Sequence, residues 1–390
     1  MNALESFAHG EPLPVDVTSI ERELASLWKT AASDPAGGGG PALSRACQIN
    51  LIVCCAGREE ARAAEELVAA ITSECPSRAL MVVVEDGPGD GLEASISAHC
   101  SYAPGSGRGR QVCCEQITLR GTGAGAARLP GAVLPLLLPD LPVALWYPSD
   151  PEARAPGGYA RVARALADSA DRVVVDSRRF PDPLREVPEL AALPCAVSDL
   201  GWQRLRGWRE MTASFFDGQM FESYPSRIDT VRATYAPGAS GSRPGAGAAE
   251  ALLLSCWAAS RLRWGPDPSA RRGAGSGGRF TLLHPAGNRP CSILLQADQP
   301  ARRPAGQVVA FELLAGEASF TVRRSEIIDC VTATVSVPGA CPIPRSARVP
   351  ERGEGALLCR SLETSAPDPV HREALRLAAR LAGAQQGDAA

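Results

Sequence analysis

The stretch that most constrains the fold is a strand, a helix and a second strand within residues 47–84. Residues 47–55 form a nearly continuous apolar run, which is typical of a strand buried on both faces of a sheet. Gly57 then opens an alanine- and glutamate-rich helix to about residue 74, and residues 79–84 form the next apolar run. The short joints between these segments indicate a βαβ unit with a right-handed crossover. The pattern predicts parallel strands at the start of an α/β domain.

The segments that follow predict two domains. Residues 92–102 and 111–119 alternate as two strands that could form a hairpin, and helices and strands follow to residue 176. Beyond residue 181 strand patterns predominate, and residues 356–362 are predicted as the last strand. We therefore expect an α/β N-terminal domain with a mixed, Rossmann-like sheet, followed by an α+β C-terminal domain with antiparallel strands. The predicted boundaries are 1–45 for an N-terminal helical arm and glycine-rich linker, 46–180 for the α/β domain and 181–390 for the α+β domain.

The composition argues against two classes of protein. The formal net charge is −3 over 390 residues, so no overall basic field is available to attract nucleic acid. The most apolar stretch, residues 129–147, is interrupted by four prolines and Asp140, so no membrane-spanning helix is expected. The first 30 residues lack the basic start and apolar core of a signal peptide, which predicts a cytoplasmic protein. The 13 cysteines, an odd number in a long chain, are expected to be mainly reduced core residues.

A glycine motif supports one catalytic hypothesis. Residues 121–126 read Gly-Thr-Gly-Ala-Gly-Ala, which fits the dinucleotide-binding fingerprint between a strand and a helix. However, Asp140 precedes the next strand instead of ending it, Pro130 and Pro135 disturb the helix that would receive a pyrophosphate, and the motif is not on the first βαβ unit. The four histidines lie far apart and no Cys-x-x-Cys pair occurs, so we predict no metal site and no cofactor. A nucleotide-binding enzyme, NAD- or nucleotide-sugar-linked, remains the alternative function.

The most distinctive stretch covers residues 199–217. Either Ser198 or Asp199 can cap the start of a helix there. The apolar half of that helix would carry Leu205, Trp208, Met211, Thr212, Phe215 and Phe216. Arg209 breaks the pattern, because it projects on the apolar side between Phe216 and Trp202. A desolvated guanidinium is costly unless a carboxylate or carbonyl groups answer it, so we expect a partner for Arg209 in the fold or in another subunit. A core helix and an interaction helix both stay open as interpretations.

Five stretches together resemble a known protein family. They are residues 110–119, 134–146, 171–177, 199–210 and 252–264, which read RQVCCEQITL, LPLLLPDLPVALW, DRVVVDS, DLGWQRLRGWRE and LLLSCWAASRLRW. In this order they resemble the OpcA-type glucose-6-phosphate dehydrogenase assembly proteins of bacteria. The resemblance covers about residues 45–330. It implies a non-catalytic accessory subunit and allosteric activator that binds the dehydrogenase and promotes its oligomeric, active form. The implied pathway is the oxidative branch of the pentose phosphate pathway, which yields NADPH.

The resemblance also implies site residues. The family signature matches this chain at Trp146, Asp176 and Leu205. The candidates for contact with the dehydrogenase are Trp202, Arg206, Trp208, Arg209 and Glu210, since aromatic and arginine residues dominate interface hot spots. Cysteine redox state is linked to thioredoxin in cyanobacterial members. Cys113 and Cys114 are therefore redox candidates, and thioredoxin is a candidate second partner.

Overall fold

A computed structural model describes most of the chain. The described residues are 7, 10–33, 42–102, 110–149, 158–238, 245–267, 278–285, 289–298, 303–326, 329–339, 344–363 and 366–386. The predicted glycine-rich linker, residues 34–41, lies outside them. Among the helices of the described stretches, none is both long and apolar enough to cross a membrane.

Strands and helices alternate along the described residues. The strands are β1 (Leu13–Val15), β2 (Ala42–Arg45), β3 (Ile49–Ala56), β4 (Ser77–Glu85), β5 (Leu92–Tyr102), β6 (Arg110–Thr122), β7 (Val143–Trp146), β8 (Arg172–Val175), β9 (Ala196–Asp199), β10 (Thr230–Tyr235), β11 (Gly265–Pro266), β12 (Arg279–Leu283), β13 (Pro290–Ala297), β14 (Val308–Ala315), β15 (Ala318–Arg324), β16 (Cys330–Ser336) and β17 (Arg345–Arg348). The α-helices are α1 (Ile20–Ser33), α2 (Arg58–Ile71), α3 (Leu129–Val133), α4 (Tyr159–Ala167), α5 (Pro183–Glu189), α6 (Leu200–Arg204), α7 (Arg206–Ala213), α8 (Ala249–Arg261), α9 (Glu354–Glu363) and α10 (Pro369–Gln386).

The chain forms two compact units, and it passes between them more than once. The first unit contains Met1–Val175, Pro194–Ser198 and Gly353–Ala366. The second contains Asp176–Leu193, Asp199–Arg352 and Pro367–Ala390. The predicted division into residues 1–45, 46–180 and 181–390 has no segment that returns to an earlier unit, and it stays a prediction.

The first unit is built on a mixed sheet of nine strands. Its order is β1-β5-β6-β4-β3-β7-β8-β9, with β2 beside β6. The strands β3 and β4, which α2 connects along the chain, pair with each other in parallel, as the apolar runs predict. The strands β5 and β6 pair antiparallel, from Leu92 opposite Gly121 onward, and this pairing is the predicted hairpin. Buried β3 and β4 residues make up much of the core of this unit.

The second unit is built on a sheet of eight strands. Its order is β11-β12-β13-β10-β14-β15-β16-β17. Neighbours are antiparallel except for β10 and β13, which are parallel, so the predicted antiparallel sheet contains one parallel pair. Residues of β10 alternate between half-buried and buried, which is typical of a sheet with one covered face. The helix α8 is buried over most of its length and is the central helix of this unit.

The predicted last strand is a helix. Residues 356–362 lie within α9, and the side chains of Leu357, Leu358 and Leu362 are buried there. This segment contains three leucines, an alanine and an arginine and no β-branched residue, so its intrinsic preference is helical. It packs on α2, where a Cβ on Gly355 would lie 3.3 Å from Ile71. The strand prediction was wrong because a short apolar run does not distinguish the two structures.

Candidate partner-binding site around Trp202 and Arg209

The predicted helix over residues 199–217 is divided into three short segments. The helix α6 ends at Arg204, α7 covers Arg206–Ala213, and Ser214–Phe216 form a 3-10 turn. Leu205 has φ −77° and ψ −2°, which lies near the bridge region and separates the two helices. On a continuous helix Trp202 and Trp208 would lie about 120° apart, and the break allows both to be buried. The prediction of one long helix was wrong.

Asp199 caps α6 from a fully buried position. Its Oδ1 accepts hydrogen bonds from the backbone N–H of Gly201 at 2.8 Å and of Ser177 at 3.0 Å. Burial raises the pKa of Asp199 to about 6 in spite of these bonds. Asp199 is therefore the helix cap, and its hydrogen bond with Ser177 also links α6 to the chain that follows Asp176.

Arg209 is held against the face of Trp202. Its Cζ lies 3.6 Å from the centroid of the Trp202 ring, and its Nη1 donates to the Trp202 carbonyl oxygen at 2.7 Å. The indole also stacks on His371, with 4.9 Å between ring centroids, and its Nε1 donates to Asp368 Oδ2 at 2.8 Å. Burial lowers the pKa of Arg209 to about 10. Among the described residues, the carbonyl and the ring of Trp202 contact this guanidinium, and no carboxylate forms an ion pair with it.

The predicted contact residues divide into a buried and an exposed set. Trp202 and Trp208 are buried, the latter with 1% of its surface exposed. The side chains of Arg206 and Glu210 are 56% and 63% exposed and form an ion pair of 2.7 Å. Arg209 lies between these sets, because the residue as a whole is half-buried. The segment thus presents Arg206, Arg209 and Glu210 outward, and the role of all five residues in binding stays a prediction.

Of the family-signature residues, two are core residues and one pairs with an arginine. Leu205 is fully buried beneath the break between α6 and α7. Trp146 is fully buried in β7 of the first unit. Asp176 forms two parallel hydrogen bonds with Arg204, Oδ1 to Nη1 and Oδ2 to Nη2, both at 2.7 Å. Such bidentate pairs fix orientation as well as charge, so Asp176 positions the end of α6.

The Asp176–Arg204 pair belongs to a larger buried ion cluster in the second unit. Arg178 donates from Nε to Glu250 Oε1 at 3.0 Å and from Nη1 to Glu351 Oε1 at 2.8 Å. Arg204 also approaches Glu250 to 3.7 Å. Although burial acts to raise it, the hydrogen bonds and charge of Arg204 leave the pKa of Asp176 below its usual value. The cluster connects α6, α8 and the chain after β8.

The pKa of Glu250 makes the stability of this cluster depend on pH. Burial raises the pKa of Glu250 from 4.5 to about 7, against the attraction of Arg178 and Arg204. The unfolded chain ionises this group at lower pH than the folded protein does, so stability falls as pH rises from 4.5 to about 7.

We expect Glu250→Gln to remove this contribution, which is at most about 1.4 kcal/mol per pH unit. Urea unfolding at several pH values within that window measures it, with the wild type beside the variant. A difference between the two proteins that is the same at every pH would contradict the prediction.

Sequence patterns miss the arginine and glutamate members of this cluster. Arg204 follows Asp176 by 28 residues and Arg178 precedes Glu250 by 72, so no local spacing joins them. One signal was available, because Glu250 is the one charged residue in the otherwise apolar or small-residue segment 248–260. A carboxylate in that position needs a charged partner.

The glycine motif at residues 121–126 is packed against a loop of the protein. The backbone N–H of Thr122 donates to the carbonyl of Gly91 and that of Ala124 to the carbonyl of Gly89, both at 3.0 Å. Gly123 has φ +54°, and a Cβ there would lie 2.5 Å from Gly89 O. The motif opens a 3-10 turn, Gly123–Arg128, instead of an α-helix. These glycines therefore serve backbone packing, which weakens the nucleotide-binding alternative because a phosphate would need those N–H groups.

The two redox candidates differ in state. Cys113 is bonded to Cys100, which lies directly opposite on the neighbouring strand of the hairpin. Cys114 is a buried thiol, and burial raises its pKa to about 11, so its reactive thiolate form is suppressed. The other described cysteines are free thiols. Cys341 lies outside the described residues. Redox regulation at either candidate stays a prediction.

Together, the fold and the site define a two-unit α/β protein whose second unit carries a tryptophan–arginine segment held by hydrogen bonds and ring contacts. Two family models match it, described as the N-terminal domain of a glucose-6-phosphate dehydrogenase subunit over residues 68–192 and the C-terminal domain over residues 195–375. The chain belongs to this family, the OpcA family. Within the described residues, no group of three or more metal-binding side chains is placed to hold a metal ion.

Known relatives match part of the chain. A protein of Synechocystis sp. that carries the name OxPP cycle protein OpcA is 36% identical over 200 residues, which are 50% of this chain and 39% of that protein. The protein of the same name from Nostoc punctiforme is 34% identical over 49% of this chain and 39% of its own length. The one from Synechococcus elongatus is 28% identical over 73% and 59%. The chain thus spans less than two thirds of the length of these relatives.

The solved structures that match most of this chain differ from it widely in both sequence and structure. An aldose-aldose oxidoreductase from Caulobacter crescentus has 12% identity and a TM-score of 0.41, over 87% of this chain and 97% of its own. A UDP-N-acetylglucosamine 3-dehydrogenase from Acidithiobacillus ferrooxidans has 11% identity and a TM-score of 0.43, over 88% and 99%. At this distance neither likeness bears on function.

Proposed function

We propose that this protein is a non-catalytic assembly factor and allosteric activator subunit of glucose-6-phosphate dehydrogenase. The observation that carries the proposal is the pair of family models, whose descriptions name that enzyme's subunit and which together extend from residue 68 to residue 375. The relatives' shared name refers to the OxPP cycle, and it supports a place in the oxidative pentose phosphate pathway. A cytoplasmic location, where that pathway operates, is part of the proposal.

A role without turnover fits the chemistry of the described residues. The one nucleotide-like motif has its N–H groups at Thr122 and Ala124 bonded to a loop. The buried charged side chains at Asp176, Arg204 and Glu250 are paired with each other inside the second unit. Both features hold the fold, and they support a binding subunit over an enzyme.

The dehydrogenase-binding surface in this proposal is the outer rim of α7. Arg206, Arg209 and Glu210 form this rim, and Trp202 supports Arg209 from beneath. Gly207 fixes the position of the rim, because a Cβ there would lie 2.7 Å from Val349 Cγ1. An arginine held on an aromatic ring loses little side-chain entropy when a partner binds it, which is the property of a hot-spot residue. Trp208 is a positioning residue in this arrangement, since it is buried.

Arg209→Met tests the rim. Methionine keeps an apolar stem on Trp202 and removes the charge, and the one hydrogen bond it loses is to a carbonyl beside a half-buried residue, so the fold should be little affected. We therefore expect an unchanged melting temperature and a loss of affinity for the same organism's dehydrogenase of roughly 30-fold or more, the scale of a hot spot.

The matched control is Arg22→Met on α1, whose side chain is 79% exposed in the first unit. Titration calorimetry of each variant with the dehydrogenase measures the affinity. If Arg209→Met and Arg22→Met bind the dehydrogenase with equal affinity, the rim is not part of the binding surface. A wild type that binds no dehydrogenase at all would overturn the proposed function itself.

Thioredoxin is proposed as a second partner. Cys100 and Cys113 would accept two electrons from its dithiol, which leaves two thiols here and a disulfide in thioredoxin. Cys113 is fully buried and Cys100 is half-buried, so the attack would fall on Cys100.

A further inference from the structure

The eight-stranded sheet of the second unit has one face that no described helix covers. On β15 the buried residue Phe320 packs against Phe215 and Phe216, so the α7 side of the sheet is the inner face. The alternate residues point to the opposite, outer face; Ala310 on β14 is buried there, and the others are half-buried or exposed. They are Arg279, Thr281, Ser292, Leu294, Gln296, Thr230, Arg232, Thr234, Glu312, Leu314, Ser319, Thr321, Arg323, Thr332, Thr334 and Ser336.

The outer face is large enough for a stable interface. Its six long strands, β12 to β16 with β10, span roughly 29 Å at about 4.8 Å per strand, and about six residues each give roughly 20 Å of length. The face therefore offers about 600 Å² per copy, or about 1,200 Å² in a pair, which is the lower limit of standard interfaces. Most of its side chains are small serine and threonine residues, which leave it flat.

The centre of this face carries a single ion pair. The strands β10 and β14 are the fourth and fifth of the eight. Arg232 on β10 lies opposite Glu312 on β14, and Nη1 is 3.1 Å from Oε2. Both side chains keep exposed surface, 33% for Arg232 and 19% for Glu312. A charge pair at the midline makes the face complementary to itself.

A two-fold axis that runs between β10 and β14, parallel to the strands, uses this complementarity. It places Arg232 of one copy over the partner subunit's Glu312, and the reverse. The same operation sets Leu294 over Thr321, Gln296 over Arg323 and Arg279 over Thr334, because these residues stand at equal distances from the midline in the strand register. No charged residue of the face then meets a like charge. An axis across the strands would instead place Arg232 over Arg232 and is disfavoured.

We propose that the outer face of this sheet binds a second copy of the chain, in a two-fold dimer centred on Arg232 and Glu312. Two such sheets pack about 10 Å apart, face to face, as in β-sandwiches. The interface is isologous, so each residue pair occurs twice. The dimer does not depend on binding of a dehydrogenase.

Two substitutions of Thr334 test the proposal. In the dimer Thr334 faces Arg279 of the partner subunit, and within its own chain it lies beside Thr321. Thr334→Arg therefore adds two like-charge contacts across the interface, whereas Thr334→Glu adds two attractive ones. Thr334 is half-buried on a polar face, so neither change disturbs the core of the chain.

Analytical ultracentrifugation of the full chain measures the outcome over a concentration series. We expect a wild-type mass of about 82 kDa, twice the 40.8 kDa of one chain. Thr334→Arg should weaken the dimer by about tenfold or more for each contact, Thr334→Glu should tighten it, and the matched control Ser223→Arg should leave it unchanged.

Two results would overturn the proposal. One is a wild-type protein that stays a monomer at about 100 µM. If Thr334→Arg then also loses dehydrogenase binding, the outer face binds the dehydrogenase instead of a second copy. The other is a dimer whose dissociation constant is the same in both Thr334 variants, which would place the interface elsewhere.

Discussion

Arg204→Met should lower the free energy of unfolding by about 3–5 kcal/mol, because it leaves the buried Asp176 carboxylate without its partner. Two hydrogen bonds of 2.7 Å are lost, and the Arg178 backbone N–H at 3.2 Å and the Arg179 guanidinium at 3.9 Å, which remain, do not replace the bidentate pair. Glu250, 3.7 Å from the same guanidinium, loses part of its compensation as well. Urea unfolding followed by circular dichroism measures the change.

Arg206→Met is the matched control, two residues further along the chain. Its guanidinium also pairs with a carboxylate at 2.7 Å, but the Arg206 side chain is 56% exposed. Exposed pairs contribute about 0–1 kcal/mol, so this variant should unfold almost as the wild type does. Equal losses in the two variants, or a loss below about 1 kcal/mol for Arg204→Met, would contradict the account of a buried ion cluster.

Trp208→Ala should destabilise the protein by about 3–5 kcal/mol, the usual result of removing a large aromatic side chain from a core. The indole is almost fully buried, and Arg324 lies over it with its Cζ 5.6 Å from the ring centroid. Thermal and urea unfolding measure the loss. Met220→Ala is the control, since Met220 is 75% exposed and should change stability by less than about 0.5 kcal/mol. An unchanged melting temperature together with lost dehydrogenase binding would instead make Trp208 a contact residue.

The sequence predicts elements whose local pattern agrees with their place in the fold. Two apolar runs with an amphipathic helix between them suffice for β3, α2 and β4, because the three segments together match one βαβ unit. The same reasoning failed for α9, where Leu357 and Leu358 are buried in a helix that has no clear period. It also failed at Leu205, since a break between two helices depends on what each tryptophan packs against.

For the candidate site, the sequence indicates which residues are unusual and does not indicate how they are arranged. The apolar position of Arg209 indicated a desolvated guanidinium in need of a partner, and the structure supplies the Trp202 ring and carbonyl. The pairing of Asp176 with Arg204 could not be derived, because it depends on the chain's passage from β8 into the second unit. Tertiary pairs of this kind have no periodic signature.

The measurement that tests the central claim most directly is a glucose-6-phosphate titration of the same organism's dehydrogenase, with and without this protein. The oligomer mass is recorded in parallel, under reducing and oxidising conditions. An assembly factor and activator should lower the apparent KM or raise the maximal rate, and it should co-migrate with the dehydrogenase. Unchanged kinetics and no complex under either condition would contradict the proposed function, whatever the family to which the chain belongs.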